Sequence, residues 1–268
     1  MTATTPPGRP SVQPQPSGAT TTAAGGGGVL LLVGTRVLLW LGVQLLAAGL
    51  LVAGGATAAS QALEAAAAWW MMDAALVDLG TLAVIGWLLR RDGRPYRSLL
   101  GPPAAAWQVA LGAVAVLAAT IPAMAFSGEV NAAVYPDATP PMFAVVDLPP
   151  PADAVNVLVV LLLTELAEPV AYLGLILPRL EQRLGRPWIA ATIVAALWAA
   201  EHAFYPLLVA DGRLDLGFAA YRAASVLPFL ATWTAAYYAL GRRLLPIMAA
   251  RWVLNGGTAL ALALGVVG

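Results

Sequence analysis

The chain has 268 residues, of which 60% are hydrophobic and 10% charged, and its mean hydropathy is +0.79. Soluble domains carry about 25% charged residues, so the composition excludes a water-soluble globule and predicts an all-α, polytopic transmembrane bundle. The 14 basic residues balance the 14 acidic ones without forming a basic face, which argues against a nucleic-acid partner. The absence of cysteine excludes disulfides, thiolate metal sites and a thiol nucleophile.

Residues 1–28 form a Pro/Thr/Gly/Gln-rich tract without apolar periodicity, which predicts a disordered tail before a transmembrane domain at 29–268. The first apolar run begins too late and is too long to be the core of a signal peptide. About seven spans are expected, with six to eight left open because the second run is long enough to include a bend or an interfacial segment. In chain order they are placed at about 29–53, 63–89, 104–126, 154–178, 188–210, 216–240 and 247–268.

The arginines lie mainly on one side of these spans. With the N-terminus inside, 11 of the 14 fall on the inner side, chiefly after the second, fourth and sixth spans. Short basic loops stay cytoplasmic, so a cytoplasmic N-terminus is predicted. Arg36 and Arg222 are interpreted as anchors that reach an interface, and Asp73 and Asp78 as neighbours of an outer aromatic belt.

A small set of polar residues lies inside the last four spans, where ionisable groups are costly and therefore functional candidates. A carboxylate base facing an imidazole, with an amide near the developing oxyanion, can activate water, so hydrolysis is the predicted reaction class. The plain alternative is that such groups only hydrogen-bond neighbouring helices. The set comprises Glu165, Glu168 and Tyr172 on span four, Trp198, Glu201 and His202 on span five, and Arg251 and Asn255 on span seven.

Zinc binding is a competing use of these residues. Catalytic zinc takes three protein ligands, and with one histidine and no cysteine the site would need Glu168 together with Glu165 or Glu201. The HExxH pattern is absent, since Pro206 stands where the second histidine would be. No cofactor is therefore predicted, and a divalent metal such as zinc remains the alternative.

From about Leu163 to Gly257 the chain resembles the CAAX-protease and bacteriocin-processing (CPBP) family, which is related to the CAAX prenyl endopeptidases. The first family motif matches at Glu168, Tyr172 and Gly174, the second as Trp198 four residues before His202, and the third as Asn255 four residues after Arg251. Three positions depart from the family. Pro169 replaces the second glutamate, Leu173 the motif arginine, and Arg251 the third-motif histidine.

The resemblance implies a CPBP-like core at about 154–268. It implies that Glu168 and His202 activate the water and that Arg251 and Asn255 stabilise the oxyanion. The residues predicted to bind substrate are Trp198, Tyr172, Glu165 and Glu201. The implied partners are a membrane-associated protein or peptide substrate and the lipid bilayer. All basic residues are arginine and Ala, Gly and Pro are plentiful, which indicates a bacterial plasma-membrane protein.

Three functions are weighed. The first is an intramembrane endopeptidase, for which Glu168, His202 and Asn255 should converge on a water-filled cavity. The second is a catalytically inactive relative that acts in partner binding or bacteriocin immunity, which a close bidentate pairing of Arg251 with Glu168 would favour. The third is a transporter or channel accessory protein, against which the lack of internal repeats counts.

Overall fold

The computed structural model describes residues 25–67, 69–134, 163–202 and 216–263. Within these ranges the chain forms eight helices and no strand, which confirms the predicted all-helical membrane bundle. Short 3₁₀ turns at Ala59–Gln61 and Tyr96–Leu99 lie between them. The helices are α1 (Gly25–Ala53), α2 (Ala62–Ala67), α3 (Trp70–Arg91), α4 (Ala106–Val134), α5 (163–184), α6 (Pro187–His202), α7 (Leu216–Ala239) and α8 (Leu245–Ala263).

Three of the described helices are long and apolar enough to cross a membrane, over Gly27–Ala53, Met72–Arg91 and Ala106–Val130. Large apolar side chains such as Leu30, Leu38 and Ile121 are exposed on α1 and α4. Such faces fit a hydrocarbon solvent, so the protein is a membrane protein. Several of the later predicted spans include residues outside the described ranges, and the total of seven stays a prediction.

The helix boundaries differ from the predicted spans in three places. Helix α1 begins at Gly25, inside the predicted tail, and Gly28 packs against Leu88 and Arg179. The rest of that tail, 1–24, lies outside the described residues. The second predicted span is divided into the short helix α2 and the longer α3, which is the bend that its length allowed. Helix α4 continues to Val134, beyond the predicted end at 126, because its last turns keep the helical pattern of apolar and small residues.

Successive long helices run in alternating directions, which brings the turns after α3, α5 and α7 to one end of the bundle. An ion pair between Arg179 and Asp92 at 2.8 Å joins the first two turns. The turn after α7 is tied on by the backbone N–H of Leu244, which donates to the carbonyl of Leu100 at 3.0 Å. The arginine-rich loops predicted to share one side of the membrane therefore do share one end of the bundle.

The main hydrophobic core surrounds α5 and includes buried side chains of α1, α3, α4, α6, α7 and α8. Gly174 allows a close approach in this region, because a Cβ there would lie 3.0 Å from the carbonyl oxygen of Leu99 and 3.1 Å from a Leu244 methyl group. Helix α1 packs on α3, and α4 packs on α7 and α8. This arrangement brings polar residues from α1, α3, α5, α6 and α8 to the centre of the bundle.

Candidate functional site

Helix α5 presents the carboxylates of the site and changes its winding just after them. Residues 163–169 are α-helical, Val170–Ile176 form a π-helix, and Leu177–Leu184 return to α-helix. Pro169 lacks an N–H and so removes one i→i−4 hydrogen bond at the point where the winding changes. A π segment within an α-helix is rare and is often found at functional sites. The Tyr96 hydroxyl donates to the carbonyl of Leu166 at 2.5 Å and ties the preceding turn to the α3–α4 connection.

Tyr96 belongs to that connection and lies outside the apolar helices. Burial raises the pKa of its hydroxyl to about 12. The group therefore keeps its proton at neutral pH and remains a donor to the Leu166 carbonyl.

Arg251 of α8 bridges two carboxylates of α5. Its Nε lies 2.7 Å from Oε2 of Glu165, and its Nη2 lies 2.8 Å from Oε2 of Glu168. The side-chain amide of Asn255 donates to the other oxygen of Glu165 at 2.7 Å. The guanidinium is thus shared between two glutamates, and the bidentate pairing with Glu168 alone that the sequence left open is not formed.

Two tryptophan rings make cation–π contacts with the Arg251 guanidinium. Its Cζ lies 4.5 Å from the ring centroid of Trp233 and 5.1 Å from that of Trp198. Trp198 stacks on Tyr172 with the ring centroids 5.0 Å apart. These cation–π contacts and the two carboxylates fix Arg251, whose surface is only 3% exposed.

A second buried guanidinium, Arg36 of α1, organises the other half of the site. Its Nε lies 2.7 Å from Oε1 of Glu201, and its Nη1 lies 3.1 Å from Oδ1 of Asp78 and 2.8 Å from the hydroxyl of Thr81. Its Nη2 lies 3.5 Å from Oε1 of Glu168. Arg36 is 1% exposed, so these contacts replace the water that a charged group would otherwise need.

Glu201 accepts hydrogen bonds from three side chains. Besides Arg36, the indole N–H of Trp40 donates to its Oε1 at 3.2 Å, and the Tyr172 hydroxyl donates to its Oε2. Thr164 donates to Asp78 at 2.8 Å and thereby links α5 to α3. Each of these acids therefore has defined hydrogen-bond donors inside the bundle.

Glu168 joins the two halves of the site, with Arg251 near one carboxylate oxygen and Arg36 near the other. It is 2% exposed. The two guanidinium groups stabilise its ionised form, because an opposite charge within about 4 to 6 Å favours a charged carboxylate. An ionised carboxylate is the form that a general base requires.

His202 lies at the end of α6, beside this network. Its Nδ1 lies 2.9 Å from the carbonyl oxygen of Trp198, which directs the other ring nitrogen away from the helix backbone. The imidazole interacts electrostatically with Glu168, Glu201 and Arg222. Both His202 and Asn255 are partly exposed, while the carboxylates are buried behind them.

The structure brings all eight residues selected from the sequence into one region. Within it they lie in separate groups near Arg251 and near Arg36, with His202 at the edge. Glu165, Glu168 and Trp198 contact the Arg251 guanidinium, and Asn255 donates to Glu165. Tyr172 and Glu201 contact each other on the side of Arg36, and His202 lies at the partly exposed edge. Their catalytic and substrate-binding roles remain predictions.

Four residues that the sequence placed at membrane interfaces are buried in the bundle, and two of them belong to the site. The four are Arg36, Asp73, Asp78 and Arg222. Arg36 had been taken for an interfacial anchor and Asp78 for part of an outer belt, yet both are buried and bonded to each other. Spacing carried a usable signal, since Arg36 and Trp40 lie one turn apart on α1 and Asp78 and Thr81 lie three residues apart on α3. Each pair therefore shares one helix face. Arg36 and Trp40 both bond to Glu201 on α6, and Asp78 and Thr81 both bond to Arg36, pairings that could be known only from the packing of the helices.

Metal binding was considered for the same acids. Within the part of the chain that the structure describes, no group of three His, Cys, Asp or Glu side chains is placed to hold a metal ion. The described acids are instead bonded to guanidinium, hydroxyl, indole and amide donors. The absence of a cofactor stays a prediction.

The family comparison agrees with this geometry. Residues 150–257 match the family described as type II CAAX prenyl endopeptidase Rce1-like. The match includes α5, α6, α7 and most of α8 and shows that the chain is related to the CPBP/CAAX proteases, as the motifs predicted. At the level of the family, this part of the chain is similar to CAAX-type intramembrane proteases. No curated protein and no solved structure matches the chain.

Proposed function

We propose that the protein is an intramembrane peptide hydrolase of the CAAX-protease type, acting on a membrane-associated protein or peptide. The observation that carries the proposal is the meeting of three family motif positions at one carboxylate: Glu168 contacts Arg251 and interacts with His202. A carboxylate, an imidazole and fixed cationic donors are the parts that water activation and oxyanion stabilisation need.

In the proposed reaction, Glu168 takes a proton from a water molecule whose oxygen attacks the carbonyl carbon of the peptide bond. The oxyanion that forms accepts hydrogen bonds from Arg251 or Asn255, and His202 orients the water. Collapse of the intermediate breaks the C–N bond, and the proton held by Glu168 passes to the leaving amine. The products are a carboxylate and an amine, and no metal ion is required.

The position of Glu168 suits a substrate within the bilayer. It precedes Arg179, at the arginine-rich end of α5, by eleven residues, which is at most about 16 Å of helix because the intervening π-helical turn rises less per residue than an α-helix. The hydrocarbon core is about 30 Å thick, so the reaction would take place near its middle. The proposal includes seven spans, a disordered tail at 1–28 and a bacterial plasma membrane with the arginine-rich end in the cytoplasm.

The test compares protein termini in native membranes of cells that express the wild type, Glu168→Gln or His202→Ala. General acid–base catalysis contributes about 10²-fold or more, so products of the wild type should fall by at least that factor in both variants. Glu64→Gln is the matched control, because Glu64 is an exposed acid outside the site. Equal amounts of every product in the wild type and Glu168→Gln would contradict the proposal.

A non-catalytic role is the second candidate, and the bridging contact of Arg251 favours it. A carboxylate held by two guanidinium groups is a weaker base, and Arg251 stands where the family has a histidine. On this alternative the network is structural and the protein binds a membrane partner or confers immunity to a bacteriocin. Arg251→His separates the candidates: the hydrolase should retain or gain cleavage, whereas the inactive relative should yield no new termini in either form.

A further inference from the structure

Nine arginines are gathered at the end of the bundle where the turns after α3, α5 and α7 meet. We name them the arginine collar. Most of them are exposed, and they come from three separate turns that the Arg179–Asp92 pair and the Leu244–Leu100 backbone bond hold together. The collar consists of Arg90, Arg91, Arg94, Arg97, Arg179, Arg183, Arg186, Arg242 and Arg243.

The acids of these turns neutralise little of this charge. Asp92 is paired with Arg179, and Glu181 with Arg242 at 2.7 Å. These are the two acidic residues in the three turns, against nine arginines. The described residues at the opposite end of the bundle include Glu64 and Glu129, with His202 at the end of α6 and the buried Arg222 near the start of α7 as the basic residues there. Positive-inside topology accounts for the sign of this asymmetry.

Three exposed tryptophans mark the level of the collar in the membrane. Trp87 lies one turn before the end of α3, and Trp107 and Trp188 lie in the first turns of α4 and α6, so all three are at the collar end. They are 49%, 64% and 69% exposed. Tryptophan favours the level of lipid headgroups, which places the collar at the phosphates of one leaflet.

The arginine side chains of the collar are also suited to binding phosphate. A guanidinium can donate two parallel hydrogen bonds to a phosphate group, which an ammonium cannot do. Arg91 lies over the ring of Trp87 at 5.8 Å, so one pair of side chains joins a cation to an interfacial aromatic. Seven of the nine collar arginines are exposed, so their guanidinium groups are accessible to lipid phosphates.

The geometry points to a binding surface for anionic phospholipid headgroups on the arginine collar, independent of hydrolysis at the central site. The occupant is the phosphodiester of an anionic lipid such as phosphatidylglycerol, selected over zwitterionic lipid by charge. Each arginine near an anionic leaflet favours binding roughly fivefold. A ring of bound lipid would fix the protein's depth and orientation in the bilayer.

The experiment uses the full chain in bilayer discs that contain phosphatidylcholine with a minority of phosphatidylglycerol. Native mass spectrometry gives the ratio of the two lipids that remain bound after release. The variant replaces Arg94, Arg97, Arg183 and Arg186 with glutamine, and the matched control replaces the same four with lysine. All four arginines are exposed and lie away from the central site.

The preference for phosphatidylglycerol should fall at least about fivefold in the glutamine variant and fall less in the lysine control, which keeps the charge but loses the paired hydrogen bonds. An unchanged preference in the glutamine variant, or an equal loss in both variants, would overturn the proposal.

Inorganic phosphate, compared with chloride at equal ionic strength, tests the other source of the anion. Loss of lipid preference with phosphate alone would show a free-phosphate site and would likewise overturn it. Unfolding temperatures in pure phosphatidylcholine show whether each variant is folded. If the quadruple variant does not fold, the double variant Arg183→Gln with Arg186→Gln replaces it in the experiment.

Discussion

At the scale of single residues, Arg36 connects more of the site than any residue chosen from the motifs. One guanidinium lies within 3.5 Å of carboxylate oxygens of Glu201, Asp78 and Glu168. Burial of a charge is costly unless its hydrogen-bonding capacity is used. A variant that removes one partner should therefore have a much lower free energy of unfolding. Arg36 comes from a helix outside the family match, and the site is therefore completed by a part of the chain that the motifs do not cover.

Replacing Arg36 with methionine should lower the free energy of unfolding by about 3 to 5 kcal/mol, because it leaves buried carboxylates without their cation. Arg36→Lys should cost less, since it keeps the charge but loses the forked geometry. Unfolding in detergent micelles, followed by circular dichroism, measures both. Arg183→Met, at an exposed collar position, is the control and should change stability by less than about 0.5 kcal/mol. A loss at Arg36 no larger than at Arg183 would show that the buried ion pairs do not stabilise the bundle.

The sequence predicted correctly how residues are arranged on helices inside the family match. It did not predict which of those residues are contacted by helices outside the match. The i, i+4 spacing of Arg251 and Asn255 placed both on one face, and the structure aims both at Glu165. Nothing in the sequence linked Arg36 to Glu201, 165 residues away along the chain. A contact between such distant positions depends on how α1 packs, and no local rule gives that.

At the scale of elements, α5 carries two carboxylates of the site and a glycine in close contact with neighbouring elements. Its π segment brings Tyr172 to Glu201 and Gly174 to the connection that follows α3. The motif glycine thus has a packing role, whatever the activity of the site. Sequence reasoning placed a helix here and had no means of predicting the π winding, since it arises from Pro169 together with the fit against neighbouring elements.

Gly174→Ala should destabilise the protein by about 1 to 3 kcal/mol, because the added Cβ would crowd the Leu99 carbonyl at 3.0 Å. Gly86→Ala is the matched control, since its Cβ would meet nothing nearer than an Arg90 nitrogen at 3.9 Å. Alanine there should be neutral or stabilise α3 by up to about 1 kcal/mol. Thermal unfolding in the same detergent measures both, and equal effects at the two positions would show that the close approach at Gly174 does not matter.

At the scale of the whole molecule, the N-terminal helices are structural partners of the family-like part. Arg36 and Trp40 of α1 and Asp78 of α3 supply donors and an acceptor to the network that Glu168 and Glu201 occupy. Without these helices the acids of α5 and α6 would face lipid or each other. Intramembrane acids without partners are unfavourable, so the two parts depend on each other.

Expression of residues 150–268 alone should therefore yield a protein that is degraded or unfolds without cooperativity. Co-expression of 1–149 as a separate chain should restore a folded complex, because the division falls in the predicted loop at 127–153. Protease resistance and co-purification of the two chains measure the outcome. A stable, cooperatively unfolding 150–268 fragment would contradict this dependence.

The sequence by itself determined that the protein is a helical membrane protein, where its apolar helices lie, that its arginines share one end, and which motif positions form the family-like site. These properties follow from hydropathy, charge distribution and local spacing, each of which acts over a short stretch of chain. Only the tertiary structure decided that Arg251 is divided between Glu165 and Glu168, and that Arg36 and Asp78 belong to the site. Ion pairs between helices depend on which faces meet, and that is settled by the packing of the whole bundle.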